Sequence, residues 1–423
     1  MGFQHGVGGV MAASKQLDVI GNNVANSNTV GFKGSRAEFA DMFAANFYGV
    51  GATQAGLGTR VAAVAQQFNQ GNITSTGNQL DLAISGNGMF AMKNPQGTSY
   101  TRNGQFQVDK DGYIINGADQ LLGYPYNETA AKIDEGLLQP LRIDNSQLSP
   151  RSSDTAPITW QFNIDSRSSA PTVAPFDPTN INTYNATSST KVYDTLGNPY
   201  DLNIYYIKGA AAGSWTAEFR IPITDNSVTP PTTTYENLGS QAVTFDTAGK
   251  ISSPTTKFAL TPFDPNTQAI PPMNAAVLNM EVDLTGTTQF GNPFEVNSVS
   301  QPGYASSVLT RLNIDKYGTI FGSFSNGQSK TLGQVALTTF ANPQGLQQIG
   351  NNRWIETLAS GNAVHKKAGD SSVGVIQAQA VEDANVDLTQ ELVNMIQAQR
   401  FYQANTQTIK VQDAVMQSLI NLR

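Results

Sequence analysis

Apolar residues recur at helical spacing at both ends of the chain and at strand spacing between them. From Leu388, alternating steps of four and three reach Leu392, Met395, Gln399, Tyr402, Thr406, Ile409, Asp413, Met416 and Ile420. Seven of those ten positions are apolar, which is the a/d spacing of a coiled coil. Val393, Ile396, Phe401, Val415 and Leu419 widen the stripe beyond a two-helix seam. No Gly or Pro interrupts residues 386–423, so they read as one long amphipathic helix. About 36 helical residues reach ~54 Å. Gln399, Thr406 and Asp413 break the stripe and suit a helix that packs on several neighbours, with polar positions fixing register. A helix folded on its own domain carries the same kind of stripe, and the pattern alone leaves both readings open.

The amino end repeats the steps more weakly: Phe3, Val7, Val10, Ser14, Leu17, Gly21, Val24. Five of the seven are apolar. Gly6, Gly8 and Gly9 fall in the first turns, and each costs up to ~1 kcal/mol against Ala in a helix. This helix, over about 3–27, therefore needs packing to form. Asn22, Asn23, Asn26, Asn28 and Gly31 end it.

Between the helices the chain reads as strands and turns rich in Thr, Asn, Gly and Pro. The run 106–115 (FQVDKDGYII) matches 312–321 (LNIDKYGTIF), each an apolar strand end, an Asp-Lys-x-Gly turn and a new strand. Asp194 to Gly197 and Asp246 to Gly249 repeat the turn with Thr in place of Lys. Asp opens such a turn by accepting from backbone ahead of it, and Gly supplies the positive φ. Four such hairpins predict antiparallel β domains. Asp109, Asp111 and Gly112 also resemble a fragment of a calcium loop, but its remaining ligands and closing Glu are missing. Gly86-Asn87-Gly88 reads as a hairpin between 82–84 and 89–92.

Proline marks boundaries. Fifteen of the twenty prolines lie between Pro150 and Pro293. The expected organisation is nested and discontinuous: 1–75 with 365–423 as a helical polymerisation region, 76–148 with 302–364 as an inner β domain, and 149–301 as an inserted outer β domain. The fold class is a mainly β body with α-helical termini, the long helices packed together as a coiled coil. Pro150, Pro302 and Gly303 are candidate hinges, or residues that merely end strands.

Composition narrows the function. At 423 residues there is room for two or three domains. Charged residues are 13% of the chain, about half the usual share. Surfaces are therefore neutral and hydrogen-bonding, with a formal net charge of −7. No basic patch favours nucleic acid, no stretch of 18 apolar residues spans a membrane, and no Sec-type signal follows Met1. There is no Cys, which removes disulfides, thiol nucleophiles and Cys metal sites. His5 and His365 are the only histidines and cannot make a three-His zinc site. Gly-x-Ser-x-Gly and the Walker A pattern are absent. No catalytic residue, metal or cofactor is expected, and the protein does not read as an enzyme. Glu382 and Asp383, ahead of the last helix, suit its positive end.

Residues 18–33 (DVIGNNVANSNTVGFK) resemble the N-terminal signature of bacterial flagellar rod and hook proteins. Residues 385–405 (NVDLTQELVNMIQAQRFYQAN) are similar to their C-terminal signature, which 408–413 (TIKVQD) and the final NLR continue. Residues 80–90 (LDLAISGNGMF) and 100–106 (YTRNGQF) match the family's inner β domain. The resemblance covers about 1–148 and 302–423. The insertion at 149–301, with 332–346 (LGQVALTTFANPQGL) and Asn352-Arg353-Trp354, points to the hook branch rather than the shorter distal rod protein.

The resemblance implies a structural subunit of a curved tube that passes torque from rod to filament. Its implied partners are further copies of itself, the distal rod protein, the hook cap protein, the hook–filament junction protein and the flagellar type III export apparatus. Its implied location is the flagellar hook and basal body, outside the cell after export. Phe39 and Phe43 match the Phe-x-x-x-apolar pattern of export-gate recognition, though an amphipathic packing face reads the same. Two other classes stand beside this one. A secreted β-domain adhesin could use Trp160, Trp215 and Tyr-rich strands as a sugar platform. A secreted hydrolase would need a clustered acid–base set that the sequence does not offer.

Overall fold

The computed structural model describes residues 2–42, 58–127, 129–136, 138–144, 147–225, 227–268, 272 and 274–421. Helix α1 spans Gly2–Ala25 and helix α2 spans Leu388–Asn421. The body between them is mainly β. The end of α1 is a run of tightening turns, with Asn26 N donating to Asn22 O at 3.1 Å and Ser27 N to Val24 O at 3.3 Å. The start of α2 is capped by Asp387, whose Oδ1 accepts from Thr389 N at 2.9 Å and Gln390 N at 3.2 Å. This corrects the expectation for Glu382 and Asp383. Asp387 holds the cap, while Glu382 closes a strand and is fully buried. Asp383 accepts from Thr74 Oγ1 at 3.1 Å.

Contacts divide the chain into two units. The first comprises 1–145, 310–323 and 329–423, and the second 146–309 and 324–328. In the first, an antiparallel ribbon joins Ser35–Asp41 to Thr59–Gln66. Its main sheet is antiparallel and built on Met89–Asn94, Gly97–Thr101, Asp119–Asn127, Thr319–Phe324 and Ser329–Thr339. Met89, Ala91, Tyr100, Leu122 and Trp354 pack one of its cores, bordered by Phe68 and Phe340. Two short pairings bring the end of the body back to its beginning. Val375–Ala378 pairs with Leu82–Ser85, and Ala380–Glu382 pairs with Ile73–Ser75.

Those pairings overturn the hairpin expected at Gly86-Asn87-Gly88. Leu82–Ser85 and Met89–Asn94 join different sheets. Leu82, Ala83 and Ile84 are fully buried, and their ladder partner is the remote strand Val375–Ala378. Both glycines have positive φ, which carries the chain from one sheet to the other.

All four Asp-x-x-Gly turns form as expected. Asp109 Oδ1 accepts from Asp111 N at 3.0 Å and Tyr113 N at 2.7 Å. Asp315 repeats this with Tyr317 and Thr319, Asp194 with Leu196 and Asn198, and Asp246 with Ala248 and Lys250. Each closing glycine, Gly112, Gly197, Gly249 and Gly318, has φ between 74° and 86°, a region costly for any residue with a Cβ.

The second unit holds two five-stranded sheets. One is a meander of Ala186–Tyr193, Pro199–Lys208, Ser214–Asp225, Thr232–Phe245 and Ile251–Ser253. The other is mixed and centred on Ile158–Asp165. Along 214–223 of the strand Ser214–Asp225 buried and half-buried residues alternate, the period of a strand with one face in a core. Trp160, Phe162, Tyr206, Trp215, Phe219 and Phe263 fill that core with residues from both sheets.

Candidate self-assembly site at the terminal helices

The two helices touch each other along glycine. A Cβ on Gly6 would lie 2.8 Å from Ile409 Cγ1, and one on Gly9 would lie 2.4 Å from Asn405 Oδ1. A Cβ on Gly8 would stand 3.0 Å from Thr59 O, on the ribbon. By helix propensity alone these glycines are only a cost. In the structure Gly6 and Gly9 face α2 and Gly8 faces the ribbon, and the missing side chains let these elements approach. Their clustering at two- and three-residue spacing was the available signal.

The buried face of α1 also differs from the expected stripe. Ala12, Ala13, Val19, Ile20 and Asn23 are buried. Val7, Val10, Leu17 and Val24 are half-buried, and Phe3 is exposed. Helix α2 is barer still. Leu388, Leu392, Val393, Ile396, Phe401, Tyr402, Val411, Val415, Met416 and Ile420 are each between 40% and 68% exposed. Met395 and Ile409 are half-buried, and Ala398 is buried. An exposed apolar stripe of this length, even with polar breaks at Gln399, Thr406 and Asp413, is unusual on a surface facing only water.

The roots of both helices are locked by one carboxylate. Lys33 Nζ donates to Glu382 Oε1 at 2.7 Å, and Arg102 Nη1 donates to Glu382 Oε2 at 2.9 Å. Gly71 N adds a bond to Oε1 at 2.8 Å. Lys33 also donates to Asn69 O at 2.7 Å, and Arg102 Nη2 to Gly86 O at 2.7 Å. Burial pushes the Lys33 ammonium below its usual pKa, against the pull of Glu382. Nearby, Asn23 makes a two-way clasp with Ser35 backbone, at 2.8 and 2.9 Å. Asn385 accepts from Gly34 N at 2.8 Å and donates to Gln67 O at 2.6 Å. Gln66, at the ribbon's end, accepts from Trp354 Nε1 at 2.5 Å. Nothing in the sequence reading singled out Glu382, Arg102, Asn385 or Gln66 for this role.

The remaining candidates have plain positions. Phe39 is exposed on the ribbon, and Phe43 lies outside the described residues. Pro150, Pro302 and Gly303 lie in the second unit. They adjoin two backbone bridges, between Arg151 and Tyr304 and between Leu148 and Ser307. Trp160 and Trp215 are buried in the core, so neither can stack on a sugar. No His, Cys, Asp or Glu cluster among the described residues is arranged to hold a metal. No described helix is long and apolar enough to cross a membrane.

Four families match along the chain. Residues 3–33 match Flagella basal body rod protein, and 83–145 match the Flagellar hook protein FlgE/F/G D1 domain. Residues 163–304 match the Flagellar basal body protein FlaE D2 domain, and 377–422 the Flagellar basal body rod FlgEFG protein C-terminal. A crystal structure of Helicobacter pylori flagellar hook protein FlgE2 has a similar fold, with TM-score 0.52 and 14% identity. It covers 73% of this chain and 100% of its own. The Flagellar hook protein FlgE of Borreliella burgdorferi is 30% identical over 449 residues, covering 99% of this chain and 98% of its own. The FlgE proteins of Salmonella typhimurium and Escherichia coli K12 are each 38% identical, over 426 and 427 residues and the whole of both chains. On its two terminal signatures, its fold and this full-length identity, the chain belongs to the flagellar hook protein family.

Proposed function

We propose that this structural subunit of the bacterial flagellar hook polymerises through the exposed faces of α1 and α2, packed as a coiled coil within and between copies. The carrying observation is the apolar stripe of α2, which a single chain leaves open to water. Burying one aliphatic side chain contributes ~1.5–3 kcal/mol, and a polymer repeats that contribution at every subunit. The glycine contact between α1 and α2 sets the first pair of helices, and the stripe recruits helices from neighbouring copies. The result is a tube with its helices innermost and the β body outside, able to flex while it carries torque. Low charge density suits contacts between β surfaces that shift as the tube turns, because few oriented ion pairs must break. Pro150, Pro302 and Gly303 are proposed as bending points near where the chain enters and leaves the second unit.

The same reading assigns partners. The first and last copies would meet the distal rod protein, the hook cap protein and the hook–filament junction protein. Phe39, with Phe43, would engage the flagellar type III export apparatus. The test is the double substitution Leu392→Asp with Ile396→Asp. The β body should melt as in the parent chain, and hooks should be absent while subunits accumulate in the medium. Hooks of normal length from that variant would sink the reading.

A further inference from the structure

A cleft of about 470 Å³ opens where the helices meet the ribbon. Gln16 and Asn23 of α1, Ser35 and Arg36 of the ribbon, and Gln390 and Glu391 of α2 line it. Glu391 is half-buried, and its Oε2 is buried without a hydrogen-bond partner. Among the described residues its Oε1 meets only Asn23 Nδ2, at 3.5 Å, beyond a good N–H···O distance. A carboxylate withdrawn from water without a counter-charge is costly. Arg36 lines the same cleft and makes no ion pair among the described residues.

The complementary charge stands on the open face of the same helix. The charged residues of α2 are Glu391, Arg400, Lys410 and Asp413. Arg400 and Lys410 are exposed, and neither makes an ion pair among the described residues. Arg400 sits beside Phe401 and one turn from Ile396, inside the apolar stripe assigned to neighbouring copies. Its planar guanidinium fits a carboxylate by two parallel bonds, which an ammonium cannot supply.

We propose that the cleft receives Arg400 of a second copy, which pairs with Glu391 as its side chain turns Oε2, closed to solvent in the single chain, into the cleft, and so fixes the register between neighbouring subunits. This rests on the polymerisation reading above. The stripe supplies attraction that is indifferent to sliding, and the charge pair selects one axial position. Each copy offers one cleft and one guanidinium at different places, so the contact runs head to tail, the kind of contact that can build an open helical polymer.

The experiment uses the full chain in cells that lack any other copy, counting hooks per cell and subunits in the medium. Glu391→Arg and Arg400→Glu should each cut assembled hooks about thirtyfold or more, as expected when one member of a buried pair is lost. The double variant Glu391→Arg with Arg400→Glu should restore them. Glu391→Gln keeps the size, and it decides the matter where charge reversal impairs folding. Normal assembly by Glu391→Gln would overturn the proposal, since water or an amide then suffices. So would a double variant that stays defective, or rescue of Glu391→Arg by Lys410→Glu or Arg36→Glu instead. The variant Leu392→Asp with Ile396→Asp runs alongside. If it assembles, polymerisation through α2 fails; if it does not while the charge variants do, only the pairing fails.

Discussion

Glu382 gathers two buried cations of the first unit on one carboxylate. It faces two cations, Lys33 and Arg102, with no second carboxylate in the trio. Glu382→Gln would leave both cations buried without a counter-charge, and losing one partner of such a pair costs about 3–5 kcal/mol. The first transition in a denaturant titration of the full chain should move down accordingly. An unchanged midpoint would show that the trio contributes nothing net. A second residue-scale expectation concerns His365, whose Nδ1 lies 2.8 Å from Thr338 Oγ1. Burial lowers its pKa from the ordinary 6.5, against a smaller opposing pull from Glu356. The folded state then binds fewer protons than the unfolded state in the window just below 6.5. Stability should rise with pH through that window and fall as acid is added. His365→Gln should remove that part of the pH dependence, read from melting temperatures between neutral and mildly acidic buffer. None of this was legible in the sequence. Lys33 and Glu382 are 349 positions apart, and a pairing at that distance leaves no periodic trace.

At the scale of elements, legibility followed locality. The two helices and the four Asp-x-x-Gly turns were readable because their determinants lie within a few residues of one another. The partner of Leu82–Ser85 was not, because it arrives from Val375–Ala378. The sign of the amino-terminal glycines was also misread, since propensity measures an isolated helix and contact measures a packed one. That difference is testable. Gly6→Leu raises helix propensity by ~1 kcal/mol, yet it drives a side chain into Ile409. Overpacking of this kind costs about 1–3 kcal/mol, so hook formation should fall although the substitution favours helix. Adding Ile409→Ala should recover part of the loss. Recovery by no smaller residue at 409 would place the glycine contact elsewhere. Amide exchange offers a separate check on α2. Its exposed stripe predicts weak protection in free subunits and strong protection in hooks.

For the whole molecule, the second unit has its own core of two sheets. Replacing 146–309 by a short Gly-Ser linker should therefore spare the first unit's melting transition. Export and polymerisation should persist, because both helices and their roots remain, while the tube's stiffness or curvature changes. Loss of the first unit's transition in the purified protein would show that the insertion is not independent. The short strands at 375–378 and 380–382 have a further consequence, one of timing. They complete pairings begun at 73–75 and 82–85, and the carboxylate at 382 is the counter-charge for Lys33 and Arg102. A chain released from its amino end thus delivers two buried cations long before the anion that neutralises them. Until residues 375–382 have emerged, these two pairings and the charge trio cannot form, and α2, which follows them, cannot meet α1. The sequence distance across this one lock acts as a delay, holding back assembly competence until the last segment is free.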